Sequence, residues 1–232
     1  MADWKQIPGA LVRISAGSRT NVWGVNAAGN IYRYTNNDAS PWLQVPGALA
    51  DIGAAADGTV WGVNSAGNIY RYTGDRDSGH WKQIPGALVR ISAGSRTNVW
   101  GVNAAGNIYR YTNNDASPWL QVPGALADIG AAADGTVWGV NSAGNIYRYT
   151  GDQDSGHWKQ IPGALKAISA GSRTSVWGAN AAGNIYRFTN NDASPWVQIP
   201  GALADVGAGV DGTVWGVNSA GNIYRYTGDL PG

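Results

Sequence analysis

Tryptophan spacing constrains this chain more than any other feature. One series falls at Trp4, Trp42, Trp81, Trp119, Trp158 and Trp196, at intervals of 38 or 39 residues. A second falls at Trp23, Trp61, Trp100, Trp138, Trp177 and Trp215, each 19 residues after its partner, and the two series use all 12 tryptophans. The remaining aromatics form six Tyr-Arg-aromatic triplets, from Tyr32-Arg33-Tyr34 to Tyr224-Arg225-Tyr226, with Phe188 replacing one tyrosine. Six units thus hold every aromatic side chain, and a period near 40 residues signals a repeat architecture.

Each unit reads as four short strands, containing WKQIP, LVRISA, NVWGVN and NIYRYT in turn. Pro-Gly separates the first two, Ser-Arg-Thr or Asp-Gly-Thr the next two, and a Gly-containing Asn-Ala-Ala-Gly or Asn-Ser-Ala-Gly hairpin joins the last pair. No window between these turns is long enough for an amphipathic helix. Four strands in about 40 residues is the content of one propeller blade. The sequence therefore predicts an all-β, six-bladed β-propeller of four-stranded antiparallel blades, a single domain over residues 1–232. The pattern opens on a WKQIP strand and ends after an NIYRYT strand. If the Trp strand is outermost, it finishes the preceding blade, and the N-terminal strand completes the last blade and closes the ring, hiding sheet edges.

A finer alternation runs through the repeat. Odd units carry SAGSRTN and TNNDASP loops, even units AAADGT and TGDRDSGH loops, and residues 4–80 differ from 81–157 only at Arg76 against Gln153. Arg13 and Arg90 of odd units align with Asp51, Asp128 and Asp205 of even ones, and Ala167 stands where a third arginine would complete the pattern. Innermost strands with alternating charge are expected to pair along the central channel, because buried charges need partners.

Composition removes several function classes. The net charge is +1, from 16 basic against 15 acidic residues, all of them Asp, which provides no footprint for nucleic acid or an anionic membrane. No apolar run is long enough for membrane insertion. With no cysteine there are no disulfides, thiolate nucleophiles or Cys-ligated zinc. The opening MADWKQIPG has no secretory leader, so a cytoplasmic location is expected. Catalysis needs proton-transfer groups in one pocket. The two histidines, His80 and His157, lie in loops two units apart, so no enzyme and no cofactor is expected. Asp75-Arg76-Asp77-Ser78-Gly79 and its copy Asp152-Gln153-Asp154-Ser155-Gly156 have the alternating acids of a calcium loop but no closing bidentate acid. An Asx-type turn explains them without a metal.

The polar residues kept in every unit are Gln6, Asn26, Asn30, Arg33, Thr35 and their equivalents. Arg33 points away from its flanking tyrosines, either bracing neighbouring blades or contacting a ligand. Asn26 and Asn30 flank a hairpin turn, and shaping that turn is one reading of their task. Planar amide and guanidinium donors beside an aromatic ring also suit a sugar, whose hydroxyls need directed hydrogen bonds and whose apolar face packs on rings. Small residues at Gly24, Ala27, Ala28, Gly29 and Gly47 leave room for a ligand between blades.

The unit W-x-Q-[IV]-P-G-A-L…V-W-G-[VA]-N-[AS]-A-G-N-I-Y-R closely resembles the tectonin repeat of slime-mould, horseshoe-crab, fish-egg and mushroom lectins, over nearly all of residues 4–227. Mushroom members are the nearest likeness. The resemblance implies a multivalent carbohydrate-binding lectin that recognises O-methylated glycans of bacteria and nematodes in fungal defence, with sites between adjacent blades. It points to Trp23, Asn26 and Arg33, and to their equivalents Trp61, Asn64, Arg71, Trp100, Asn103, Arg110, Trp138, Asn141, Arg148, Trp177, Asn180, Arg187, Trp215, Asn218 and Arg225. A homo-oligomer would extend such binding to cross-linking. The competing reading is a protein-interaction scaffold; near-identical loops argue for a repeated ligand over a single partner.

Overall fold

A computed structural model describes residues 3–75, 77, 79–154 and 156–228. Arg76, Ser78 and Ser155 of the acidic loops lie outside the described residues. Blade 1 consists of β2 (Arg13–Ser18), β3 (Asn21–Val25), β4 (Ile31–Tyr34) and β5 (Trp42–Val45), antiparallel in that order from the axis outward. Four further blades repeat this order over β6 to β21, running from Asp51–Ala54 to Trp196–Ile199. The sixth joins β22 (Asp205–Ala208), β23 (Val214–Val217) and β24 (Ile223–Tyr226) to β1 (Trp4–Ile7). Trp4 pairs with Tyr226 and Ile7 with Ile223, so the first strand completes the last blade as the sequence predicts.

Alternating side chains build the core between blades rather than within them. Trp23, Val25 and Ile31 of blade 1 pack with Leu49, Ile52, Val60 and Tyr72 of the next blade and its lead-in loop, and five equivalent clusters complete the ring. The outer tryptophans lock successive blades: Trp42 donates its indole N–H to the Pro8 carbonyl at 2.9 Å, and Trp4 closes the series on Pro200 at 3.0 Å. Gly86 illustrates why Pro-Gly recurs there. Its φ is +126°, and an added Cβ would lie 2.8 Å from the Trp119 ring.

Near the axis the inner strands have free edges whose backbone N–H groups need acceptors. Side chains of the neighbouring blade supply them. Ser15 Oγ accepts from Ala54 N–H at 2.9 Å, and Asp51 Oδ2 from Ile91 N–H at 2.9 Å. The charge alternation also pairs as expected, Arg13 reaching Asp51 at 3.8 Å and Asp205 at 3.7 Å, and Arg90 reaching Asp128 at 3.8 Å. Blades approach so closely that a Cβ on Gly94 would sit 2.2 Å from the Ala132 backbone. Gly94→Ala must therefore push two blades apart, and thermal denaturation should register a loss of about 1–3 kcal/mol.

Candidate functional site

The predicted site residues fall into three different environments. The second tryptophan series is the heart of the core, with Trp23 and Trp100 only 1% exposed and Trp61, Trp138, Trp177 and Trp215 at 0%. Tyr72 and Trp81 of the following blade pack edge-on against Trp23, at centroid distances of 4.9 and 6.3 Å. This corrects the expectation that these rings present a stacking face to a sugar; the neighbouring blade already covers them.

Asn26 and Arg33 do not share a pocket either. Trp23 pairs with Arg33 across β3 and β4, whereas Asn26 lies three residues further along, about 10 Å at the usual strand rise. The asparagine therefore sits on one face of the ring and the arginine toward the other. Asn26 Oδ1 accepts from Ala28 N–H at 3.0 Å and Asn30 N–H at 2.8 Å, which shapes the hairpin. The same bonds recur at Asn64, Asn103, Asn141, Asn180 and Asn218.

The hairpin face nonetheless contains inter-blade clefts. Ala27, Ala28 and Gly29 of one hairpin, the linker Ala48-Leu49-Ala50 and Asn64-Ser65 of the next hairpin enclose about 400 Å³. Asn141 and Asn180 flank an equivalent cleft of about 600 Å³, and Asn180 and Asn218 one of about 260 Å³, both bordered by Lys166. Each cleft combines two asparagine side chains with alanine methyls. Of the small residues expected to leave room, Gly24 and Gly47 do not: a Cβ on Gly24 would meet Leu11 at 2.4 Å, and one on Gly47 would meet Ile31 at 3.0 Å. Those two glycines make room for the protein's own core.

The arginines divide largely by blade parity, Arg187 of blade 5 being the exception with an interaction of its own. Arg33 and its five equivalents each lie over a buried tryptophan ring, 5.3–5.9 Å from the centroid. In even blades the guanidinium then braces the next blade. Arg71 donates two bonds of 2.9 Å to Asp115 and one of 3.1 Å to the Tyr111 hydroxyl, and Lys82 adds a bond of 2.7 Å to Asp115. Arg225 with Lys5 holds Asp38, and Arg148 with Lys159 holds Asp192, in the same way. These bonds hold the carboxyls of Asp38 and Asp115 well below the usual range and lower Asp192 to about 2. In odd blades the guanidinia of Arg33 and Arg110 are exposed and make no hydrogen bond or ion pair among the described residues.

The split among the arginines is not among the sequence-based expectations, although a signal for it exists. Lys5, Lys82 and Lys159 of even blades alternate with Leu43, Leu120 and Val197 of odd ones, in step with Asp38, Asp115 and Asp192. Among the described residues no three His, Cys, Asp or Glu side chains converge to hold a metal ion, and no helix is long and apolar enough to cross a membrane.

A closed ring of six blades with repeated inter-blade clefts defines a β-propeller with several like clefts on one face. The tectonin domain model matches residues 1–118 and again 113–230, so the chain belongs to the tectonin domain family. No curated protein sequence matches it. Among solved structures, the chain is similar to YCF48 from Cyanidioschyzon merolae, with 14% identity, a TM-score of 0.60, and 97% of this chain and 98% of that one covered. It is also similar to a streptogramin B lyase, with 21% identity, a TM-score of 0.64 and coverage of 95% and 79%. The WD40 β-propeller domain of Doa1 gives 11% identity, a TM-score of 0.65 and coverage of 97% and 96%. At such identities the likeness is one of fold alone.

Proposed function

We propose that the protein is a multivalent lectin that binds O-methylated glycans, without catalysis, in the clefts of its hairpin face. The observation that carries this reading is the cleft between Asn26 and Asn64, where asparagine amides stand beside alanine methyls and Leu49. Asn26 Oδ1 is committed to the turn, which leaves its Nδ2 amide to donate to a sugar oxygen. The alanine side chains suit the apolar face and methyl group of a modified sugar. Repetition around the ring compensates for weak single contacts: a site on the order of millimolar affinity gains strongly on a repetitive surface. A role in fungal defence against bacteria or nematodes, from the cytoplasm, and a homo-oligomer that cross-links glycans, follow the family likeness and belong to the same proposal.

A glycan array carrying O-methylated sugars and their unmethylated parents tests it. Binding should favour the methylated members; no binding to any sugar would leave the scaffold reading. The site test must spare the turn, which alanine at Asn26 would damage. Asn→Asp at the six hairpin positions keeps the Oδ acceptor and removes the Nδ2 donor. Agglutination should fall at least tenfold with the melting curve little changed, and full agglutination would place the site elsewhere.

A further inference from the structure

The braced junctions show what the unbraced ones lack. Where blade 2 meets blade 3, Arg71 over Trp61 and the hydroxyl of Tyr111 both bond the carboxylate of Asp115. Where blade 1 meets blade 2, the same frame is present. Arg33 lies over Trp23, and Tyr72 packs on that ring at 4.9 Å and 61°, against 4.8 Å and 60° for Tyr111 on Trp61. Blade 3 meets blade 4 through Arg110, Trp100 and Tyr149 with matching values of 4.9 Å and 62°.

The carboxylate is what is missing. The loop after Tyr72 uses Asp75 for its own exposed turn, where its Oδ1 accepts from Asp77 N–H at 2.9 Å. Among the described residues neither the Arg33 and Arg110 guanidinia nor the Tyr72 and Tyr149 hydroxyls have a hydrogen-bond partner. The tyrosine is nevertheless held in place, since His80 stacks parallel to Tyr72 at 6.2 Å and Trp81 packs edge-on at 5.1 Å. The lysine that shares Asp115 is also replaced. Leu43 lies across the strand pair from Arg33 and Leu120 across from Arg110, each 50% exposed. The third odd-to-even junction differs, because Arg187 and Tyr226 have interactions of their own.

We propose that the junctions at Arg33–Tyr72 and Arg110–Tyr149 bind the carboxylate of an acidic sugar, in the place that Asp115 fills at the braced junctions. An exposed guanidinium with its fork free favours a planar carboxylate bidentately, the tyrosine hydroxyl donates a third bond, and Leu43 or Leu120 takes the apolar side of the ring. That the ligand is a sugar rests on the lectin reading above; that it carries a carboxylate rests on the comparison of junctions. These two sites lie away from the hairpin clefts, toward the other face of the ring.

The test is titration of the whole protein, followed by NMR, with methyl glucuronide, its methyl ester, methyl glucoside and a tetra-aspartate peptide. Methyl glucuronide should bind at about two sites per chain, at least tenfold more tightly than its ester or the glucoside. Arg33→Gln with Arg110→Gln keeps an aliphatic stem over each tryptophan and should abolish that preference while neutral methylated glycans still bind. Equal binding of acid and ester, or a preference that survives the double substitution, overturns the proposal. Binding of the peptide without the glucuronide overturns it too, in favour of a protein carboxylate. Loss of glucuronide binding alone leaves the lectin standing; failure of every sugar, neutral ones included, removes both.

Discussion

Deleting residues 1–8 should lower the melting temperature by about 15 °C or more and make the protein prone to aggregate. The deletion removes the outermost strand of the sixth blade, four paired positions against β24. It also removes Ile7, at 0% exposure, and Trp4, whose indole packs on Trp177 at 6.3 Å and on Tyr226 at 5.0 Å. Loss of a buried Trp costs about 3–5 kcal/mol and of a buried Ile about 2–5 kcal/mol. For a domain of this size each kcal/mol corresponds to roughly 2–4 °C. A free β24 edge would then be open to pairing between molecules.

Trp42→Ala separates closure from simple loss of packing. Trp42 makes the same bond to a proline carbonyl as Trp4, 2.9 against 3.0 Å, but within a continuous stretch of chain. Trp4→Ala and Trp42→Ala should thus cost similar amounts, while the deletion costs far more and is partly rescued by a peptide spanning residues 1–8. A deletion variant that melts like the intact protein would mean that closure does not depend on this strand.

The architecture was legible because it depends on spacing. Trp residues 19 and 38–39 apart fix the blade period, and the WKQIP strand at the start predicts the closure seen between Trp4 and Tyr226. Arg13, Asp51 and Asp205 were legible as a channel network because repeat alignment puts opposite charges at one level. The site was less legible, since its residues answer to neighbouring blades. Trp23 is covered by Tyr72 and Trp81, 49 and 58 residues onward, which no local pattern declares. Asn26 and Arg33 are close in sequence yet separated by strand length. Whether an arginine braces or stands free depends on an aspartate 44 residues later, as Arg71 and Asp115 show.

The incomplete charge pattern on the axis should make stability rise as pH falls, and Ala167→Arg should weaken that dependence. Around the channel Asp51 lies between Arg13 and Arg90, but Asp128 and Asp205 flank Ala167 with no cation between them. Burial, then repulsion from Asp205 and Asp51, pushes the Asp128 carboxyl up to about 7. Burial also raises Asp51, to about 6, and Asp205, although Arg13 opposes both shifts. A carboxyl raised from its ordinary value of 3.8 destabilises the fold where it must ionise. The cost is fully present above about pH 7 and is relieved as pH falls toward 4, where unfolded carboxyls are protonated too. Asp38, Asp115 and Asp192 act oppositely; their stabilisation is present above about pH 4 and is lost as pH falls through their lowered values. The melting temperature should accordingly climb from pH 8 to about pH 5 and drop below pH 4. An arginine at 167 completes the alternation and should add on the order of 2 kcal/mol at pH 8, or about 4–8 °C, making the profile shallower between pH 8 and 5. Asp128→Asn should flatten it as well without adding a charge, since Asn keeps the acceptor for the Ile168 N–H that now bonds Asp128 at 2.9 Å. If both variants keep the intact protein's slope between pH 8 and 5, the titrating group lies off the axis and the missing arginine has no energetic consequence.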